Sequence, residues 1–155
     1  MAKKLHYCIG VLLMMISCRS DIIFESYYNT LENQWIYDSI YTFHFSVKQN
    51  AKYDIFYNIR NTVEYPFANL YVQYKFLYND VVLDSGLHEH FLMDQKTGFP
   101  LGRSVGSFYD HLIPLFVSRY LLEGNYTIQL RQYMREDTLQ GITAVGATIR
   151  LAERP

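Results

Sequence analysis

The chain is short of several things that would narrow its chemistry. It has two cysteines among 155 residues, too few for a disulfide framework or a four-thiolate zinc site. It has four prolines, no internal repeat and no low-complexity segment. Fourteen basic against fifteen acidic residues leave a net charge of −1, so no global basic field recruits nucleic acid. The uncharged run 7–16 is ten residues long, and a bilayer-spanning helix needs about twenty. What the chain does have is aromatic side chains, 15 Tyr, 10 Phe and one Trp, with 50% hydrophobic and only 19% charged residues. That balance describes one ordered domain with an ample core rather than a disordered chain.

The first residues read as an export signal. Lys3 and Lys4 precede the uncharged run, giving a basic n-region and a short h-region. The run closes on Met15-Ile16-Ser17-Cys18, which resembles a bacterial lipobox. Cleavage is expected between Ser17 and Cys18, with a diacylglyceryl thioether on the Cys18 sulfur. Each buried methylene contributes about 0.8 kcal/mol, and two or more chains hold a protein stably at a membrane. Cys8 would leave with the signal and Cys18 would be capped, so no free thiol remains in an oxidising compartment. The expected organisation is a signal peptide at 1–17, a lipidated N-terminus and tether at 18–33, with docking of Ile22-Ile23-Phe24 on the domain as the alternative for that stretch, and a folded domain at 34–155.

That domain reads as all-β. Tyr41, Phe43, Phe45 and Val47 alternate on one face, as do Tyr53, Ile55, Tyr57 and Ile59, and then Leu70, Val72, Tyr74, Phe76 and Tyr78. Asn79-Asp80 suits a two-residue hairpin turn. Asp84-Ser85-Gly86 is expected to turn the chain again before a strand over 88–93. Gly124-Asn125 introduces a strand at 126–131, and a last strand is expected over about 142–151. Ile113, Leu115 and Val117 alternate around Pro114, which suits an edge strand, with a short helix as the alternative. The segment 98–106 reads as a long glycine-rich loop. Seven or eight short strands at this spacing predict an antiparallel two-sheet β-sandwich, immunoglobulin-like or jelly-roll-like.

Several groups of residues invite a chemical reading. Gly102-Arg103-Ser104-Val105-Gly106 matches the nucleophile-elbow pattern, with Asp110-His111 following, but the elbow needs a strand-to-helix turn on an α/β sheet. A flexible loop accounts for it better. His88-Glu89-His90 puts two imidazoles on one strand face, and a metal site would need His44 or His111 to join them. The tyrosines could form a sugar-stacking platform, although their alternation places most of them in the core. Asp38-Ser39-Ile40 and Asp137-Thr138-Leu139 resemble short acceptors for bacterial O-glycosylation, at Ser39 and Thr138. No phosphate-binding glycine loop, nucleic-acid signature or paired catalytic carboxylates appear, so no cofactor, metal or catalysis is expected.

Past the signal, several stretches resemble the GldH family of Bacteroidetes gliding-motility lipoproteins. They are Trp35-x-x-Asp38, Phe43-x-Phe45, Ile59-Arg60-Asn61, Tyr65-Pro66-Phe67-x-Asn69-Leu70 and Gly124-x-Tyr126-Thr127. The most distinctive is Met134-Arg135, then Leu139-x-Gly141-Ile142, then Val145-Gly146. The glycine-rich stretch before Tyr109-Asp110 departs from the family's spacing. Read physically, Arg60 and Arg135 are candidates for partly buried, hydrogen-bonded charges that organise loops. The resemblance implies a non-catalytic accessory lipoprotein of the gliding and type IX secretion machinery, working with other lipoproteins and membrane proteins. Arg19 after the cysteine favours the outer membrane, and a periplasm-facing position is expected. The competing class is a carbohydrate-binding or glycan-uptake lipoprotein, which a co-planar row of exposed rings would favour.

Overall fold

A computed structural model describes residues 21–153, and among them there are eleven strands and no helix. In chain order these are β1 (Ile22–Asn29), β2 (Gln34–Ile36), β3 (Tyr41–Val47), β4 (Ala51–Thr62), β5 (Asn69–Tyr78) and β6 (Val81–Phe91). They continue as β7 (Arg103–Val105), β8 (Phe108–Leu121), β9 (Gly124–Gln132), β10 (Thr138–Gln140) and β11 (Ile142–Leu151). One sheet runs β1-β11-β4-β8-β7, the other β3-β9-β5-β6, and β10-β2 form a small ribbon; every pairing is antiparallel. The two-sheet antiparallel sandwich expected from the alternation is the fold observed.

The alternating sets build the core as their period requires. Phe43, Phe45 and Val47 of β3 are buried, as are Tyr53, Ile55, Tyr57 and Ile59 of β4 and Leu70, Val72 and Phe76 of β5. The Tyr126 ring stacks between Phe45, at 5.6 Å, and Phe76, at 5.4 Å, so one aromatic column crosses the four-stranded sheet's inner face. Burying each such ring stabilises the fold by roughly 1.5–3 kcal/mol. The hairpin turn lies where the sequence puts it: Asn79 and Asp80 both have positive φ, 45° and 66°, the geometry a two-residue turn demands. Pro114 sits on β8 beyond the short β7, where no strand needs its missing N–H.

Three expectations are corrected. Ile22–Asn29, taken as part of a tether, is strand β1, paired with β11 from Arg150 to Ala144. Its inward residues are Phe24, Ser26 and Tyr28; Phe24 packs on Phe45 at 5.6 Å and Tyr28 on Phe43 at 5.2 Å. Asp84-Ser85-Gly86 does not turn: β6 runs straight through it. There Gly86 leaves room for the Tyr74 ring, which a Cβ would meet at 3.1 Å, and Asp84 pairs with Arg119 at 2.8 Å. The glycine-rich loop is a loop only to Gly102, after which β7 forms a hairpin with β8.

The sandwich has two chemically different ends. At one end lie the start of β1, the β3–β4 and β8–β9 connections and the Asn79-Asp80 turn, tied together by Leu151 N–H to Asp21 O and Ala152 N–H to Lys52 O. At the far end lie the β2–β10 ribbon, the β4–β5 connection, the loop 92–102 and the β7–β8 turn. Gly141, before β11, has φ of 78°, and a Cβ there would stand 2.5 Å from the Tyr65 backbone nitrogen. Gly141→Ala is therefore expected to cost about 2–4 kcal/mol, from left-handed strain plus overpacking, measured by urea unfolding. Deleting residues 21–29 should abolish cooperative unfolding, whereas a mere tether would be dispensable.

Candidate functional site

Most stretches that carry the family resemblance meet at the far end, although the chain separates them by up to a hundred residues. Arg60, Tyr109 and Asp110 are brought together by the β4–β8 register, Arg60 directly opposite Asp110. Arg60 donates twice to the Asp110 carboxylate, Nε to Oδ1 at 2.6 Å and a terminal nitrogen to Oδ2 at 2.9 Å. The guanidinium holds the Asp110 carboxyl below the ordinary carboxylate range. Arg60 is partly buried and hydrogen-bonded as expected, but it ties two neighbouring strands rather than organising a loop. It lies on the outer face of the five-stranded sheet, beside a cavity of about 390 Å³ lined by Glu25, Tyr27, Asn58, Arg103 and Asp110 among others. The Tyr27 ring fits over Gly146, where a Cβ would come within 2.6 Å of it.

On the inner side, next to this pair, Asn61 and His111 are both buried. The Asn61 amide nitrogen donates to the Thr62 carbonyl, so its Oδ1, at 2.9 Å, accepts the His111 Nε2 proton. That fixes one tautomer of a neutral imidazole. Burial, reinforced by the neighbouring His90 imidazole, pushes His111 down to about 4. Gly102 closes over the ring, since a Cβ there would meet Nε2 at 2.6 Å. The first glycine of the apparent nucleophile motif thus serves to seat a loop on an imidazole. Ser104 is exposed on the three-residue β7, on no strand-to-helix turn, and among the described residues no hydrogen bond joins it to His111.

His90 does come next to His111, edge-on with ring centroids 6.1 Å apart, but His44 stays away from them. His88 faces inward, its Nδ1 3.0 Å from the Tyr57 hydroxyl, while His44 lies on the outer face of β3 against Thr127 Oγ1. Among the described residues no three His, Cys, Asp or Glu side chains are placed to hold a metal ion. Among the described residues the stacked pairs Phe45–Tyr126 and Phe76–Tyr126 are interior, and Tyr28–Tyr41 is the stacked pair with an exposed ring.

Sequence reasoning missed the corner built on the β9–β10 connection. Buried Gln132 clamps it from both ends of its amide: Oε1 accepts from Met134 N–H at 2.8 Å, and Nε2 donates to the Glu136 carbonyl at 2.6 Å. The clamp presents Tyr133, 41% exposed, and places Arg135 in the left-handed region, φ 61°. Arg135 is exposed and makes no side-chain hydrogen bond or ion pair among the described residues, which corrects its expected role; Gln132 organises the loop instead. Arg131 lies 3.9 Å over the Tyr37 ring and donates to the Tyr37 carbonyl, completing the corner. Here Tyr71, Leu87, Tyr133, Met134 and Arg135 line a groove of about 470 Å³. The signal was a lone buried glutamine at the end of a strand, which a pattern of apolar alternation does not register.

Ser17 and Cys18 lie outside the described residues. Ser39 lies in the loop after β2, between the exposed Asp38 and Ile40, and accepts the Trp35 indole N–H on its carbonyl at 3.1 Å. Thr138 begins β10 next to the fully buried Leu139. The β2–β10 pairing brings the two stretches side by side.

The chain belongs to the GldH lipoprotein family, whose model matches residues 22–149, from the first residue of β1 into β11. It is similar to the gliding motility lipoprotein GldH of Flavobacterium johnsoniae, 27% identical over 155 residues that cover 90% of this chain and 94% of the relative. It is also similar to the gliding motility lipoprotein GldH homolog of Christiangramia forsetii, 26% identical over 156 residues covering 94% and 93%.

The buried imidazole sets a pH dependence. The folded-state value of His111 lies below its ordinary 6.5, so the unfolded chain takes up the proton first. Stability is then complete above about pH 7 and is lost as the pH falls through 6.5 toward 4. Between pH 7 and 5 the loss from this group should be about 2 kcal/mol by urea unfolding. In His111→Gln the slope should flatten.

Proposed function

We propose that this protein is a membrane-anchored, non-catalytic accessory component of the gliding motility and type IX secretion machinery. Lipid on Cys18 holds the sandwich at the outer membrane, facing the periplasm, and the far end contacts other lipoproteins and membrane proteins of that apparatus. The observation that carries the reading is the family match across the whole sandwich, with two relatives over 90% or more of the chain both named for gliding motility. The build of the far end supports contact rather than chemistry. Arg60, His111 and Gln132 are each held by hydrogen bonds, while Arg135 and the apolar Leu31, Val63, Phe99, Leu101 and Tyr133 stand exposed around them. Pre-ordered polar groups with exposed aromatic and apolar neighbours are what a docking surface needs, because little conformational freedom is lost on binding. Of the two acceptor-like serine and threonine positions, Ser39 in its loop is the one we assign for O-glycosylation.

Two measurements test this. Cys18→Ala should move the protein from the membrane to the soluble fraction; unchanged retention would sink the anchor. A photo-crosslinker replacing Tyr133 in native membranes should capture lipoproteins of the gliding or secretion machinery. Capture of glycan-uptake components alone would favour the competing class.

A further inference from the structure

From the pairing of β1 we infer that the sandwich stands directly on the membrane surface, on the end that carries Ile22, Ile23, Tyr120 and Leu122, and so points its far end away from the lipid. The inference rests on lipid at Cys18 and adds an orientation to it.

The argument begins with reach. Asp21 is fixed to the domain, its carbonyl accepting the Leu151 N–H at 2.8 Å, and Ile22 is in register with Arg150. Only two residues separate Asp21 from Cys18. A chain spans at most about 3.6 Å per residue whatever its conformation, so Asp21 lies within roughly 11 Å of the lipidated residue. A tether running to residue 33 would have allowed about 50 Å, enough for any face of the domain to approach the bilayer. The eight residues of β1 then carry the chain roughly 27 Å toward the other end. The leash therefore selects one end.

The second line of argument is what that end offers. A row crosses the five-stranded sheet there: Asp21 bonds to Leu151, Ala152 to Lys52, and Lys52 is in register with Tyr120. Ile22 and Ile23 are each 44% exposed at one side of the row, and Tyr120 and Leu122 are 60% and 51% exposed at the other. Exposed Lys48 and Lys52 stand among them. Aliphatic side chains beside a tyrosine and long-stemmed lysines suit the interfacial layer, where rings sit at headgroup depth and lysines extend their ammonium groups toward water. Acidic Asp21, Asp80, Glu123 and Glu153 outnumber those lysines, so the contact is apolar rather than an electrostatic grip on anionic lipid. The end is also stiff: Glu123 N–H bonds to Asn50 Oδ1 at 2.7 Å and Asn79 N–H to the Asn125 carbonyl at 2.9 Å.

The test uses the full lipidated protein in phosphatidylethanolamine vesicles that contain a lipid with a spin label near its headgroup. Ile23→Cys, Leu122→Cys, Phe99→Cys and Tyr133→Cys, all at exposed positions, each carry an environment-sensitive fluorophore. Labels at 23 and 122 should lose most of their fluorescence to the spin-labelled lipid, while those at 99 and 133 should keep theirs. Equal quenching at all four, quenching confined to 99 and 133, or none at any site in protein that mass spectrometry shows to be lipidated overturns the orientation. Absence of lipid mass on Cys18 instead overturns the anchor itself, and the orientation with it.

Discussion

The pairing of β1 with β11 is the contact on which the rest of this structure depends. It adds the outermost strand to the five-stranded sheet and, through Phe24 and Tyr28, places aromatic rings between the two sheets along the side where β3 would otherwise lie open. The Tyr28 hydroxyl reaches across to the Thr42 carbonyl, so that side is fastened by a hydrogen bond as well as by packing. The opposite side, between β6 and β8, has no such strand and is closed by polar side chains. Arg119 bonds to Asp84 and lies 4.1 Å over Phe116, while His90 meets His111 edge-on across the same gap. Half-buried charges there cost little because each is paired and backed by a ring. Inward-pointing polar groups also keep the long free edge of β6 from recruiting another strand, a role Pro114 and the register shifts serve on β8.

Much of this was legible in the chain because it follows a local period. Aromatic and β-branched residues alternate over β3, β4 and β5 and the end strands fall where expected, since burial on one face dictates every second residue. The ribbon strands β2 and β10, three residues each, are too short to show a period, and three further elements were not legible, each for a physical reason. In β1 the inward set contains Ser26, and exposed residues such as Ile23 and Tyr27 are as apolar as the buried ones, so no alternation marks it. In β6 the turn-like Asp84-Ser85-Gly86 is overridden by partners on other strands, the Tyr74 ring and the Arg119 guanidinium. The three residues of β7 pair only with β8 and are too short to show a period.

The site was partly legible in the same sense. Arg60 is organised as its setting suggested, because a guanidinium on a central strand must find a carboxylate, and the register supplies one directly opposite. Arg135 is not, because the residue that stabilises its loop is Gln132, whose amide can both donate and accept and therefore replaces two partners at once. Likewise the glycine and histidine of the apparent catalytic motif are in contact, but as a loop backbone resting on a buried imidazole. Identical residues at identical spacing serve a different end once the sheet is antiparallel and no helix follows the serine.

Both ends of the sandwich are fastened by side chains as well as by backbone, through different residues. Near the start of β1 backbone hydrogen bonds combine with side-chain ones: Asn50 Oδ1 accepts from Glu123 N–H, Ser46 Oγ donates to Asn125 Oδ1 and Asp54 Oδ1 accepts from Ser118 N–H. At the far end Arg60 on Asp110 and His111 on Asn61 join residues that are each 50 positions apart, and Gln132 clamps its own loop. Clamps of that kind hold an irregular surface in one shape, and a partner that reads shape gains affinity because the ordering has already occurred in folding. A lipid surface asks for no such definition, since any apolar relief of the right depth will sit in it. A sandwich with ordered surfaces at both ends can meet a different partner at each, and on the orientation we infer the end at the start of β1 is the one that would meet the bilayer.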